Sequence, residues 1–346
     1  MKRRVFLQGV SAAAALRGPQ IMQRIIWGAL PLAGCSAISG MSSGPSGAIE
    51  RRTLGKTGIH VSVFGFGSHL NKECLANPKK RDRMIKAAYE GGVAFYDVYD
   101  HSGYAQFEPM GKSLAGFRKN VVVSLCVVEP DEKMQAEIDG ALVKFKTDYI
   151  DCYRLYTVTA ERIRTMEKNR KAGKIRAIGV VSHNADEMMK YLDQFGDMLD
   201  FVMVPFNFHH NNGYFMDPKN YSDNDYSALI PRVEKMGLGV MGIKPMGSDH
   251  MIELAKKEGI LTANGISIAQ AMLRYSFQTR EIDVTMPAIN SMEELRTNLE
   301  AAYRPALSTQ EREALAKLSG IAARTKSAYL PNHYKWLEDW ASQRTV

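Results

Sequence analysis

Six of the eight histidines fall just past short runs of β-branched and apolar residues. His69, His101, His183, His209 and His210 follow such runs directly, and His250 comes shortly after another. Asp97 and Asp100 stand in the same kind of place. Histidine with carboxylate is a reasonable ligand set for a divalent metal. No His-x-x-x-His or paired-cysteine spacing accompanies it, and no metal is assigned. Cys126 would be a nucleophile only if a cation lowered its pKa; an uncharged thiol packing a strand end is the commoner arrangement. Tyr96, Tyr99, Tyr104, Tyr153 and Tyr156 crowd the same region, and aromatic faces with polar edges suit a carbohydrate. Alternation puts Tyr153 and Arg154 on opposite faces of their strand, so one of them points away from this cluster.

The elements that must position these residues alternate. Short runs at Val61–Gly67, Ala94–Asp100, Val121–Cys126, Tyr149–Tyr156, Ala177–His183, Phe201–Asn207, Gly239–Pro245 and Val284–Ile289 read as strands. Between them, stretches such as Asp131–Lys146, Ala160–Ala172 and Ala185–Phe195 carry apolar residues at three- and four-residue spacing, as helices do. Residues 50–325 therefore read as eight strand–helix units. An α/β fold follows, with a closed (β/α)8 TIM barrel favoured over an open doubly wound sheet. The first strand is not followed by Gly-x-Gly-x-x-Gly, which argues against a Rossmann domain. Arg52–Ile59 reads as a small hairpin over the barrel floor. The loop Phe208–Asp223 and the tail at residues 326–346 are placed to close over the mouth.

The N-terminus reads as an address. Arg3-Arg4-Val5-Phe6-Leu7 has the pattern of a twin-arginine export signal, and Leu32-Ala33-Gly34-Cys35 resembles a lipoprotein cleavage box. Residues 1–34 are thus expected to be removed, residues 35–49 to form a Gly/Ser-rich tether, and Cys35 to carry a lipid or to be incidental. The mature protein is expected in the periplasm, anchored to the membrane if Cys35 carries a lipid. Removing residues 1–34 takes away Lys2, Arg3, Arg4, Arg17 and Arg24 and no acidic residue. The formal charge of +8 then falls by five to +3, so the basic character gives no case for nucleic acid. Three cysteines beyond Cys35 imply no disulfide framework.

In order and spacing, several segments resemble the aldo-keto reductase family over roughly residues 51–320. They are Arg52-Thr53-Leu54-Gly55-Lys56-Thr57-Gly58, Asp148-Tyr149-Ile150-Asp151, Gly173-Lys174-Ile175-Arg176-Ala177-Ile178-Gly179-Val180, Lys244-Pro245-Met246, and Met286-Pro287 with Glu294 and Asn298. The resemblance implies hydride transfer between a nicotinamide cofactor, NAD or NADP, and a carbonyl or alcohol carbon. It also implies a tyrosine proton donor, tuned by an aspartate and a lysine, with a histidine orienting the substrate. Carried over residue by residue, Asp97 matches the aspartate and Tyr104 the tyrosine after a two-residue slip, strict spacing giving Ser102. Cys126 stands where the lysine should be and Tyr156 where the histidine should be. A phenol near pKa 10 donates poorly at neutral pH without a nearby cation. Either another group takes the lysine's place, or ordinary carbonyl reduction is lost.

For the cofactor, the resemblance implies Ser182 and His183 at the carboxamide, Met203 where a glutamine is usual, and Lys244 near the pyrophosphate. Pro287, Glu294 and Asn298 mark the eighth strand and the helix after it. Ala288 and Glu294 replace the basic residues that read a 2′-phosphate, which favours NAD. The expected function is an exported oxidoreductase with an altered catalytic tetrad, acting on a small molecule such as a sugar or polyol. Two other readings stand beside it: a barrel that lost catalysis and only binds, and metal-assisted sugar chemistry at the histidine-rich mouth.

Overall fold

The computed structural model describes residues 48–68, 74, 77–100, 105–209, 228–247, 249–260 and 267–325. Residues 1–47, read from the sequence as an export signal and most of a tether, the loop at 210–227 and the tail at 326–346 lie outside the described residues.

Strands β1 (Arg51–Thr53) and β2 (His60–Ser62) form an antiparallel hairpin. The barrel strands follow: β3 (Phe66–Gly67), β4 (Phe95–Tyr99), β5 (Val122–Val127), β6 (Ile150–Leu155), β7 (Ile175–Val181), β8 (Phe201–Pro205), β9 (Gly239–Ile243) and β10 (Val284–Met286). They pair in sequence order and in parallel. Bridges Phe64↔Thr285 and Gly67↔Ala288 join the last strand to the first. The eight expected strands are therefore all present and closed into a (β/α)8 barrel.

The helices are α1 (Pro78–Glu90), α2 (Phe107–Leu114), α3 (Asp131–Phe145), α4 (Ala160–Lys171), α5 (Ala185–Phe195), α6 (Leu229–Met236), α7 (Asp249–Lys257), α8 (Ile268–Gln278), α9 (Met292–Tyr303) and α10 (Thr309–Thr325). Side-chain caps start several of them, with Thr159, Asn184 and Ser291 each accepting from a backbone N–H one turn on. Such a cap is worth about 1 kcal/mol.

Because parallel strands are buried on both faces, alternate residues enter two cores. On β5 all six residues are buried. Val123, Leu125 and Val127 pack outward with the helices, while Val122 and Cys126 pack inward with Cys152, Ala177, Phe201, Met203, Met241 and Met286. Leu54, Ile59 and Val61 belong to the same interior cluster, so the hairpin fills the barrel floor as expected. Arg52 fixes it there by donating to the carbonyls of Phe277, Thr279 and Ile282 at 2.5–2.7 Å, at the C-terminal end of α8. A cation is favoured at that end by the helix dipole.

One expected strand is two. The run Val61–Gly67 breaks after Ser62, whose hydroxyl donates to Phe64 O at 2.6 Å and accepts from Ala94 N at 2.9 Å. The hydroxyl bends the chain from the hairpin into the barrel wall. Gly67 then passes so close to the last strand that a Cβ would lie 2.6 Å from Pro287 O.

Candidate active site

The strand register determines which side chains meet inside the barrel. Asp97 pairs with Ser124, Ser124 with Cys152, and Cys126 with Arg154. Side chains two apart on a strand share a face, so Arg154 points inward with Cys152, and Tyr153 outward. Arg154 Nη1 donates to Asp97 Oδ1 at 2.5 Å and to Ser124 Oγ at 2.8 Å; its Nη2 donates to Asp97 Oδ2 at 3.1 Å. Arg154 is 3% exposed and Asp97 7%. A guanidinium keeps its proton at any ordinary pH, and its two-pronged grip requires an acceptor-only carboxylate. Burial pushes the Asp97 carboxyl up, while Arg154 and the Ser124 hydroxyl pull it back down.

Cys126 lies beside this pair, enclosed in the interior cluster. Burial pushes its thiol up to about 12, with the Arg154 charge only partly opposing it. Cys152, deeper on the next strand, is also held far above its ordinary value by burial. Cys74, Cys126 and Cys152 are all buried, and among the described residues none is in a disulfide.

Tyr156 follows β6 on the same inward face as Arg154, and its hydroxyl lies 2.9 Å from His183 Nδ1. Tyr156 is 9% exposed, whereas His183, just past β7, is half-buried. The neighbouring Ser182 is committed elsewhere. Its hydroxyl donates to Glu187 Oε2 at 2.5 Å and accepts from Asn184 N at 3.0 Å, forming the turn into α5. Met203 is buried in the interior cluster, so an apolar thioether stands where an amide was expected.

On the far side of the barrel, Lys244 follows β9 with φ +55°. That left-handed conformation costs a non-glycine residue about 1–3 kcal/mol and is often found at functional sites. Burial pushes its ammonium down to about 7. Pro287 follows β10, where its carbonyl accepts from Gly67 N at 3.0 Å. Glu294 is exposed on the first turn of α9, and its carboxylate accepts from Asn290 N at 2.7 Å. Asn298, 2% exposed one turn further on, has a buried Nδ2 with no hydrogen-bond partner among the described residues. Each buried donor of this kind costs about 1–3 kcal/mol if left unsatisfied.

The remaining strand-end groups divide. Tyr104, His69, His101 and His210 lie outside the described residues. Asp100 caps α2 by accepting from Gln106 N and Phe107 N, and it pairs with Lys144 at 3.1 Å. His209 Nδ1 lies 2.6 Å from Ser319 Oγ on α10. Tyr96 and Tyr153 face the helices, where Tyr153 donates to Glu137 at 3.3 Å. Arg154 and Ser124 are the residues that sequence reasoning passed over. A lone arginine within the apolar run Ile150–Leu155 was the available signal, but choosing its face over that of Tyr153 required the strand register.

The aldo/keto reductase family profile matches residues 63–319. The chain belongs to the aldo/keto reductase family, whose members are NAD(P)H-using oxidoreductases. Among its relatives, L-galactose dehydrogenase of Arabidopsis thaliana is 22% identical over 322 residues, spanning 82% of this chain and 98% of that protein. The holo form of an aldo-keto reductase from Bacillus halodurans superposes with a TM-score of 0.64 at 19% identity, covering 83% of this chain and 99% of that one. An aldo-keto reductase from Klebsiella pneumoniae in complex with NADPH gives 0.59 at 21% identity, covering 80% and 95%.

Proposed function

We propose that this protein is an exported NAD(P)-dependent oxidoreductase of small hydroxylated carbonyl compounds, in which Arg154 replaces the missing lysine as the buried cation. The observation that carries this reading is the fork of Arg154 onto Asp97. The aspartate is retained, the lysine position is Cys126, and a guanidinium from the adjacent strand reaches the same carboxylate. A fixed positive charge in a water-poor barrel favours a developing oxyanion or phenolate more than it would in water.

The described residues fit a dinucleotide at its polar end. Asn298 offers a buried donor without a partner among the described residues, and Lys244 places an amine at a strand end where an anion would restore its charge. Lys244, Pro287 and Asn298 would hold the cofactor, which supplies or accepts the hydride. Ser182 shapes the turn that carries His183, and Met203 would present an apolar wall. The exposed carboxylate of Glu294 discourages a 2′-phosphate, so NAD is expected to bind no worse than NADP. The proton donor is a mouth tyrosine; the resemblance nominates Tyr104 and the geometry nominates Tyr156.

A sugar or polyol substrate fits the polar pair Tyr156 and His183 at the mouth, and L-galactose dehydrogenase is among the chain's relatives. Twin-arginine export suits a protein that folds around a cofactor before translocation. The test is calorimetric titration with both dinucleotides, followed by turnover on a panel of aldoses and their alcohols. NAD binding with turnover of a sugar supports the reading. A tenfold preference for NADP, about 1.4 kcal/mol, would show that a cation reads the phosphate, with Lys244 the first suspect.

A further inference from the structure

We infer that Tyr156 is the proton donor of this site and that His183 supplies and recovers its proton, an inference that rests on the oxidoreductase reading above. Three observations converge. The Tyr156 hydroxyl lies 2.9 Å from His183 Nδ1, within proton-transfer distance. Tyr156 lies just past the end of β6, two residues beyond Arg154, and packs in the same interior cluster as Cys126, the register partner of Arg154. Finally, Tyr156 is nearly enclosed while His183 is half-buried. The histidine thus bridges the enclosed phenol and water.

The proton balance follows from this order. During reduction the carbonyl carbon takes a hydride, with its electron pair, from a reduced nicotinamide dinucleotide. The carbonyl π pair moves to oxygen, which takes the proton of Tyr156 Oη. Tyr156 Oη takes the Nδ1 proton of His183, and His183 takes a proton from solvent on Nε2. The alcohol forms and Tyr156 is again the phenol, while His183 is left with its proton on Nε2; loss of that proton to water and uptake of one at Nδ1 restore the starting tautomer before the next turnover. Oxidation runs the same steps backwards. The arrangement divides the roles that one tuned phenol would carry, with the charge fixed at Arg154 and the mobile proton held at His183.

The experiment uses the full mature protein and three variants, Tyr156→Phe, His183→Ala and Tyr104→Phe, each first shown to melt as a folded protein. In cofactor-free protein, the His183 ring is titrated by NMR. Its midpoint should move in Tyr156→Phe and stay within error in Tyr104→Phe. In single turnovers with saturating dinucleotide, Tyr156→Phe should slow hydride transfer by about 100-fold or more, more than Tyr104→Phe does. His183→Ala should be slow and partly rescued by added imidazole, whereas imidazole should not rescue Tyr156→Phe. A larger loss in Tyr104→Phe than in Tyr156→Phe overturns the inference. So does a His183 titration that Tyr156→Phe leaves unmoved, a result obtainable even if the wild type turns over no dinucleotide and the oxidoreductase reading itself fails.

Discussion

Arg154 closes on Asp97 with both terminal nitrogens of its guanidinium, at 2.5 and 3.1 Å, inside a barrel whose neighbouring residues are apolar. The register brings Arg154 directly alongside Cys126, so the strand next to Cys126 carries a buried positive charge. Removing two charges from water is expensive unless their geometry is good and their other hydrogen bonds are made. Ser124 completes that geometry from the strand between them.

The pair therefore separates stability from activity. Arg154→Met alone strands a buried carboxylate and should cost about 3–5 kcal/mol in denaturant unfolding. Arg154→Met combined with Asp97→Leu removes both charges and should recover most of that loss. A single variant as stable as the wild type would mean that Asp97 is neutral in the folded protein.

Cys126 gives a second test of the same geometry. With its thiol pushed up to about 12 by burial, it should resist iodoacetamide in the native protein at pH 8 and react only on unfolding. The substitution Cys126→Lys would set two buried cations side by side, and the variant should be markedly less stable. Adding Arg154→Met should relieve that loss. Equal stability of the single and double variants would refute the side-by-side placement.

Glu137 should impose a pH dependence on folding. It accepts from Val128 N, Glu129 N and the Tyr153 hydroxyl, yet burial pushes its carboxyl up to about 7 from an ordinary 4.5. Between those values the folded chain holds a proton that the unfolded chain has lost, so stability falls as pH rises from about 4.5 through 7. Glu137→Gln should flatten that part of the stability curve. An unchanged slope would assign the dependence elsewhere.

The N-terminal reading is tested in cells. Replacing Arg3 and Arg4 by lysine should hold the precursor in the cytoplasm, and normal export of that variant would sink the twin-arginine assignment. Cys35→Ala should release the exported protein from the membrane fraction. A wild type already soluble after washing would refute lipidation at Cys35.

Most of the barrel was legible because each strand carries its own signal. Runs such as Val122–Val127 and Phe201–Pro205 are buried on both faces and announce themselves locally. The break within Val61–Gly67 was not legible, since it depends on one hydroxyl reaching Phe64 O and Ala94 N. In the site, the family resemblance pointed to Asp97, Cys126 and Tyr156 strand by strand. Arg154 could not, because its partner is 57 residues away and only inter-strand register decides which face it takes. The Ser182 hydroxyl shows the converse: its position matched a cofactor contact, but a local turn occupies it.

Single-turnover hydride transfer in the charge-free double variant tests the central claim most directly, because Arg154→Met with Asp97→Leu keeps the fold while removing the cation. With dinucleotide and a reactive sugar both saturating, the reading predicts a loss of about 100-fold or more relative to wild type, with dinucleotide affinity largely retained. Hydride transfer within about twofold of wild type in a folded double variant would contradict it, because the buried cation would then play no part in the chemistry.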